Sequence, residues 1–79
     1  MPKLPQVSGK DVIKALRKHG FSVISQKGSH IKLKKILDSG FSYTVIVPNH
    51  KVIKKGTLKN GILKPVNLSI DEFMKLLKK

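Results

Sequence analysis

The chain is organised around residues 26–34, which read Gln26-Lys27-Gly28-Ser29-His30-Ile31-Lys32-Leu33-Lys34. Glycine and serine are typical turn residues, so Lys27-Gly28-Ser29 predicts a tight turn. After the turn, apolar and polar side chains alternate, which predicts a strand with Ile31 and Leu33 on one face and His30, Lys32 and Lys34 on the other. The turn therefore brings one histidine, beside two lysines, to the solvent face of a half-buried sheet.

The flanking residues predict a helix before this strand and a further strand on each side of it. Ser8 and Asp11 form a capping-box pattern, and Gly20 suits the left-handed position after a helix, so we predict a helix over 9–19. Residues 21–26 are rich in strand-forming residues and predict the first strand. Asp38-Ser39-Gly40 predicts a hairpin turn, and residues 41–48 predict a third strand that ends at a proline.

The C-terminal third predicts a basic loop over 49–56 and two helices. Thr57 is a candidate cap for a short helix, which Pro65 must end near Leu63. A capping box over 69–72 precedes a final helix over 70–78. Residues 1–7 predict an irregular lead-in. The whole predicts an α+β fold: a two-layer sandwich in which helices cover one face of a three-stranded antiparallel sheet.

Charge is the strongest global signal. The sequence has 17 Lys plus Arg against 4 Asp plus Glu, a formal net charge of +13. Such a field favours polyanionic partners, and because only Arg17 is an arginine, it suits phosphate contact better than base-specific readout. With 79 residues, we expect a single domain over 1–79. The absence of long apolar runs and of cysteine leads us to expect a cytoplasmic protein with no membrane association.

Acidic residues are too few for several classes of enzyme. Each of them has a sufficient structural role at a predicted helix start or turn: Asp11, Asp38, Asp71 and Glu72. A two-metal nuclease or a glycosidase needs carboxylates that converge, so neither is expected. The spacing of the three histidines matches no zinc-binding pattern, and we therefore expect neither a metal nor a cofactor.

Once these classes of enzyme are set aside, two interpretations remain: acid–base catalysis by a histidine, or a protein without catalytic activity. RNA carries its own nucleophile, the 2′-hydroxyl, so its cleavage needs a base, an acid and positive charge on the phosphorane. His30, flanked by lysines, can supply much of this. His19 is more readily explained as a cation at a helix C-terminus, and His50 as a solvated loop residue. From the residues alone, an exposed strand residue of a plain RNA binder is the commoner role for a histidine in the position of His30.

An ordered set of short motifs resembles the HicA toxin family, also called YcfA-like. They are Gly20-Phe21, Lys27-Gly28-Ser29-His30, Val45-Ile46-Val47-Pro48, Lys55-Gly56-Thr57-Leu58, Ile62-Leu63 and Leu68-Ser69. The resemblance implies a fold like that of double-stranded-RNA-binding domains, mRNA interferase activity and a HicB-type antitoxin partner. It also places the catalytic histidine at His30. Around it we predict an RNA-binding site in which Lys27, Lys32 and Lys34 contact phosphates and Gly28 and Ser29 shape the turn.

One position and one short segment depart from the family pattern. Ile31 stands where many members have a second histidine or an arginine, and Lys64-Pro65-Val66-Asn67 replaces the usual end of the short helix. Neither difference affects His30.

The main hypothesis is a toxin that cleaves mRNA without a metal, as an endoribonuclease. The alternatives are a non-catalytic RNA-binding module and, because the first helix carries lysines around a narrow apolar stripe, an anionic-membrane binder.

Overall fold

The computed structural model describes residues 4–78, which form three strands and three helical segments. In chain order these are α1 (Gly9–Lys18), β1 (Ser22–Lys27), β2 (His30–Ile36), β3 (Ser42–Pro48), a π-helix (Thr57–Leu63) and α2 (Ile70–Lys78). The strands form one antiparallel sheet in the order β1-β2-β3. The predicted α+β fold with a three-stranded antiparallel sheet is confirmed.

The lead-in packs against the body of the molecule through Leu4 and Val7. Part of this predicted irregular segment, residues 1–3, lies outside the described residues. Val7 forms a single antiparallel bridge with Ile53, whose amide donates to the Val7 carbonyl at 2.7 Å, and both side chains are buried. The segment before α1 therefore contributes to the core, which its sequence did not indicate.

Helix α1 begins and ends as its sequence predicts. The Ser8 hydroxyl accepts from the Asp11 amide and the Asp11 carboxylate accepts from the Ser8 amide, both at 3.1 Å, which is a complete capping box. Gly20 follows the helix with a φ of 107°. The apolar stripe buries Val12, Ala15 and Leu16.

One face of the sheet packs against the helices and builds the core. Alternate residues of β2 and β3 are buried on this face and meet buried side chains of the helices; they are Ile31, Leu33, Val45 and Val47, with Val12, Leu16, Leu58, Ile62 and Phe73 opposite. Each large side chain that is fully buried contributes about 1.5–3 kcal/mol to folding. We call this the inner face and the opposite one the outer face.

Strand β1 is an edge strand whose side chains are all exposed. The register shifts between Val23 and Ser25, so Ile24 forms a bulge. Both Val23 and Ile24 stay about half exposed. The helices cover the inner-face residues of β2 and β3 but leave those of β1 exposed. The partial alternation in the sequence of β1 therefore does not produce a buried face. Bulges of this kind also protect a sheet edge from pairing with other chains.

The segment after β3 differs from the prediction in two respects, the cap of the short helix and the type of helix. Thr57 does not cap the short helix: the N-cap is Gly56, without a side-chain hydrogen bond, and Thr57 is the first residue of a π-helix. The Lys64 amide donates to the Lys59 carbonyl at 3.0 Å, five residues back. Leu58 precedes Ile62 by four residues and Leu63 by five, and on this wider turn all three are buried in the core.

Helix α2 is capped by a variant of the predicted motif. The Ser69 hydroxyl accepts from the Glu72 amide at 3.1 Å, as in a capping box. It also donates to the Glu72 carboxylate at 3.3 Å. In a capping box this carboxylate would accept from the backbone amide of the serine; here it accepts from the serine hydroxyl. None of the helices between residues 4 and 78 is long and apolar enough to cross a bilayer.

Candidate nucleic-acid interface

A two-residue turn fixes the position of His30. Lys27 and His30 are paired across β1 and β2, so only Gly28 and Ser29 form the loop. Gly28 has a φ of 61°, and the first position of such a loop is where one favoured hairpin turn places glycine. The Gln26 side-chain amide donates to the Gly28 carbonyl at 3.2 Å, which ties the turn to its strand. His30 is thereby held as the first residue of β2.

The strand register places the predicted site residues on the outer face. His30 is paired with Lys27 on one side and Pro48 on the other, and Lys32 is paired with Ser25 and Ile46. Side chains opposite each other on antiparallel strands have Cβ atoms about 4.5–5.5 Å apart. His30 therefore has one lysine directly beside it and a second one two residues further along its own strand.

These side chains surround a shallow depression of about 400 Å³. Its lining consists of Ser25, Lys27, His30, Lys32 and Ile46, and we call it the histidine depression. The side chains of all five residues are exposed. Its composition combines two cations, one imidazole, one hydroxyl and one apolar side chain on a surface that solvent and a large ligand can reach.

Not every predicted RNA-binding residue lines this depression. Lys34 lies on the same face but in the next row, opposite Thr44 and Ser22. Gly28 and Ser29 shape the adjoining turn, and the Ser29 carbonyl accepts from the Asn49 amide at 2.7 Å. The turn is thus anchored to the residue that follows β3.

Sequence reasoning did not select two residues of the depression, Ser25 and Ile46. Ile46 is 52% exposed, which is unusual for an isoleucine in the middle of a strand. The alternation of β3 already places Ile46 opposite the face of Val45 and Val47. The strand register was the missing information, because it decides which residue of β3 lies beside Lys32.

The acidic residues are far from the depression or engaged in helix caps. Asp11 and Glu72 bond in the caps of α1 and α2, and Asp71 is in the first turn of α2. Asp38 follows the opposite end of β2, whose first and last residues, His30 and Ile36, lie roughly 20 Å apart at the usual rise per residue. Within residues 4–78, no three histidine, cysteine or acidic residues lie close enough to hold a metal ion. The field around His30 is accordingly positive.

The other two histidines lie elsewhere. His19 is the C-cap of α1, and its ring stacks on Phe21 with centroids 6.3 Å apart and an interplanar angle of 20°. His50 is exposed in the loop after β3, where its carbonyl accepts from the Gly9 amide at 2.8 Å. Neither lines the histidine depression, so His30 is the imidazole that the fold combines with lysines there.

Comparison with known proteins gives a match to a protein family. The family model described as the HicA toxin of bacterial toxin-antitoxin systems matches residues 9–67, about three-quarters of the chain. The matched range includes α1, the whole sheet and the π-helix. No curated protein and no solved structure gave a match.

Proposed function

The chain belongs to the HicA toxin family of bacterial toxin-antitoxin systems, and from this premise we propose that it is an endoribonuclease that cleaves mRNA in the cytoplasm, with His30 as its catalytic residue. The observation that carries the proposal is the histidine depression. It sets His30 between Lys27 and Lys32 on an exposed sheet surface. An extended polyanion can lie across such a surface without any change in the fold.

The proposed reaction uses the nucleophile that RNA itself provides. The 2′-oxygen loses its proton and bonds to the adjacent phosphorus, while the bond from phosphorus to the 5′-oxygen breaks and that oxygen takes up a proton. The products are a 2′,3′-cyclic phosphate and a 5′-hydroxyl. His30 transfers one of these protons, and the ammonium groups of Lys27 and Lys32 stabilise the negative charge of the phosphorane.

The proposed reaction does not involve a metal ion. Two-metal catalysis of phosphoryl transfer requires several carboxylates around one phosphate. The acidic residues Asp11 and Glu72 are engaged in helix caps, and Asp38 lies at the far end of β2. The positive charge that a metal would supply comes from lysines in this proposal.

Members of a toxin–antitoxin system act with an antitoxin. We expect a HicB-type protein that covers the histidine depression with an acidic surface. Charge complementarity favours this arrangement, because the depression is lined by Lys27 and Lys32 and the chain carries a net charge of +13. A neighbouring reading frame for a small acidic protein would support it.

The test is cleavage of a single-stranded RNA by the purified protein and by the variant His30→Ala. The expected result is cleavage by the wild type in the presence of EDTA, with cyclic-phosphate ends, and cleavage by the variant that is slower by at least about 100-fold. His50→Ala is the matched control, because His50 is also exposed but lies outside the depression. Circular dichroism melts establish that all three proteins fold.

Two results would overturn the proposal. Cleavage by His30→Ala at the wild-type rate would remove His30 from the reaction. RNA that is bound by the wild type but remains intact after long incubation would make the protein a non-catalytic RNA-binding module. A binder of that kind would still show an affinity that falls steeply with salt, so binding alone does not separate the two functions.

A further inference from the structure

A second basic depression lies on the helix side of the molecule, beside α1. Four cationic side chains of the helix form its wall: Lys10, Lys14, Arg17 and Lys18. We call it the α1 groove. Its volume is about 610 Å³, which is within the range of small-ligand sites.

The floor and end of the α1 groove are not charged. Ile13 of the helix and Ile31 of β2 form an apolar floor, and Ile31 is 8% exposed. Asn49 supplies the remaining polar side chain, an amide that both donates and accepts hydrogen bonds. The Lys18 ammonium donates to the Leu76 carbonyl of α2 at 3.3 Å, so Lys18 serves helix packing. Lys10, Lys14 and Arg17 remain for a ligand.

The α1 groove and the histidine depression lie on opposite sides of the same end of the sheet. Ile31 of the groove and His30 of the depression are adjacent in β2 and point to opposite faces. The Asn49 amide donates to the Ser29 carbonyl at 2.7 Å, and His30 is paired with Pro48. Only this turn and the first residues after β3 separate the two depressions.

We propose that the α1 groove binds a nucleotide of a single-stranded RNA whose neighbouring segment lies in the histidine depression, and that Asn49 reads the base of that nucleotide. The proposal rests on the proposed function in that RNA is the ligand. Single-strand recognition uses cations that contact the phosphates, side chains such as arginine on which a base stacks, and hydrogen bonds to the base edge. In the α1 groove, Lys10, Lys14 and Arg17 can supply the first two and Asn49 the third. The groove adjoins the turn that carries His30, so a strand that crosses the histidine depression can reach it around the end of the sheet, which favours RNA over an acidic protein segment as the occupant.

The backbone of Asn49 is fixed in a way that suits this role. Its amide is bonded to Ser29, and the next carbonyl, that of His50, accepts from the Gly9 amide at 2.8 Å. The side chain of Asn49 is nevertheless exposed. Because hydrogen bonds hold the backbone on both sides of this side chain, less conformational entropy is lost on binding than at an unsupported loop residue. The side-chain amide, which both donates and accepts, can then distinguish bases by the pattern of their edges.

The first experiment maps contacts on the wild-type protein. Short RNA oligonucleotides that carry 2′-O-methyl groups cannot be cleaved, because their nucleophile is blocked. A photoreactive 4-thiouridine is placed at successive positions, and cross-linked peptides are identified by mass spectrometry. The expected result is that one position cross-links to residues 10–18 or 49, a few nucleotides from the position that cross-links to His30 or Lys32. Cross-links confined to the outer face would overturn the proposal.

The second experiment measures affinity for the same oligonucleotides by fluorescence anisotropy. Lys10→Glu should weaken binding by about tenfold or more, whereas Lys59→Glu, an equal charge reversal at an exposed residue outside both depressions, should change it little. Asn49→Ala should reduce the preference among the four bases at one position by about tenfold. The fold of each variant is checked by its thermal melt.

The outcomes separate this inference from the proposed function. If the wild type does not cleave RNA but the α1 groove cross-links and the variants bind more weakly, the inference stands and the proposed function fails. If His30→Ala stops cleavage but Lys10→Glu and Asn49→Ala bind RNA like the wild type, the inference is wrong. Loss of antitoxin binding by Lys10→Glu with unchanged RNA affinity would also overturn it, since the groove would then be a protein interface.

Discussion

Gly9 lies so close to Pro48 that no side chain fits between them. A β-carbon on Gly9 would overlap the Pro48 carbonyl oxygen and would lie 2.9 Å from the α-carbon of Asn49. The Gly9 amide also donates to the His50 carbonyl at 2.8 Å. The first turn of α1 is thereby fixed against the end of β3, next to the residue that is bonded to Ser29. This contact holds together the part of the fold on which both depressions depend.

Gly9→Ala should therefore destabilise the protein, although alanine is normally the better helix residue. The new methyl group meets backbone atoms, and overpacking of this kind costs about 1–3 kcal/mol. For a domain of this size, each kcal/mol lowers Tm by roughly 4–8 °C. The measurement is a thermal melt followed by circular dichroism.

Gly56→Ala is the control for this prediction. Gly56 has helical dihedral angles, with φ at −62° and ψ at −42°, and a β-carbon added there would meet nothing within 4 Å beyond its own chain neighbours. Alanine there should leave Tm unchanged or raise it, by up to about 1 kcal/mol in stability. Equal melts of Gly9→Ala and the wild type would show that the end of β3 can move away from α1 without cost.

Local signals predicted the fold well, and contacts between distant residues were not accessible from them. The capping box at Ser8 and the glycine at position 20 predicted the two ends of α1, because each acts within one turn of the helix. The Gly9–Pro48 contact joins residues 39 positions apart, and nothing in the sequence near Gly9 indicates it. The π-helix was similarly hidden, since Leu58 and Ile62 fit an α-helix equally well until the packing of Leu63 is known.

The sequence predicted which residues of the candidate site share one face of β2, but not which residues of the neighbouring strands lie beside them. Alternation along β2 placed His30 and Lys32 on one face, and the structure agrees. The register between strands is set by turn geometry and by core packing over the whole sheet. For this reason Ser25 and Ile46 became visible as neighbours of Lys32 only in the folded chain.

Lys27 and Lys32 should each account for part of the salt dependence of RNA binding. Release of counterions from single strands gives a slope of about −0.7 in log K against log salt for each phosphate that is neutralised. Lys27→Ala and Lys32→Ala should each make the slope shallower by about this amount, measured by anisotropy with an uncleavable oligonucleotide. Lys59→Ala should keep the wild-type slope, because Lys59 lines neither depression. Identical slopes in all four proteins would mean that the phosphates bind elsewhere.

Ile46→Glu should weaken RNA binding without affecting the fold. Ile46 is 52% exposed, and substitutions at such surface positions usually change stability by less than about 0.5 kcal/mol. A carboxylate in the histidine depression would repel the phosphates, so affinity should fall by about tenfold or more. Val52→Glu is the matched control, since Val52 is 49% exposed and lies in the loop after β3, outside both depressions. If Ile46→Glu and Val52→Glu both bind RNA as tightly as the wild type, the RNA does not cross the outer face at Ile46.

His30 should act as the general base of the reaction. The other polar groups of the histidine depression are the ammonium groups of Lys27 and Lys32, which donate hydrogen bonds but cannot accept them, and the Ser25 hydroxyl. A lysine can therefore deliver the proton to the 5′-oxygen, whereas the imidazole is the group suited to remove the proton from the 2′-hydroxyl. An RNA with sulfur in place of the bridging 5′-oxygen tests this assignment, because a thiolate leaves without being protonated.

On this sulfur substrate, His30→Ala should lose as much activity as on normal RNA, roughly 10²- to 10⁴-fold. Of Lys27→Ala and Lys32→Ala, the variant that lacks the proton donor should recover at least partly on the sulfur substrate, since that proton is no longer needed. The other should remain slow, because it still lacks a positive charge beside the phosphorane. The rates are measured in single turnovers with protein in excess, so that product release does not mask the chemical step. Recovery of His30→Ala on the sulfur substrate would instead identify His30 as the general acid and would require another group to activate the 2′-hydroxyl.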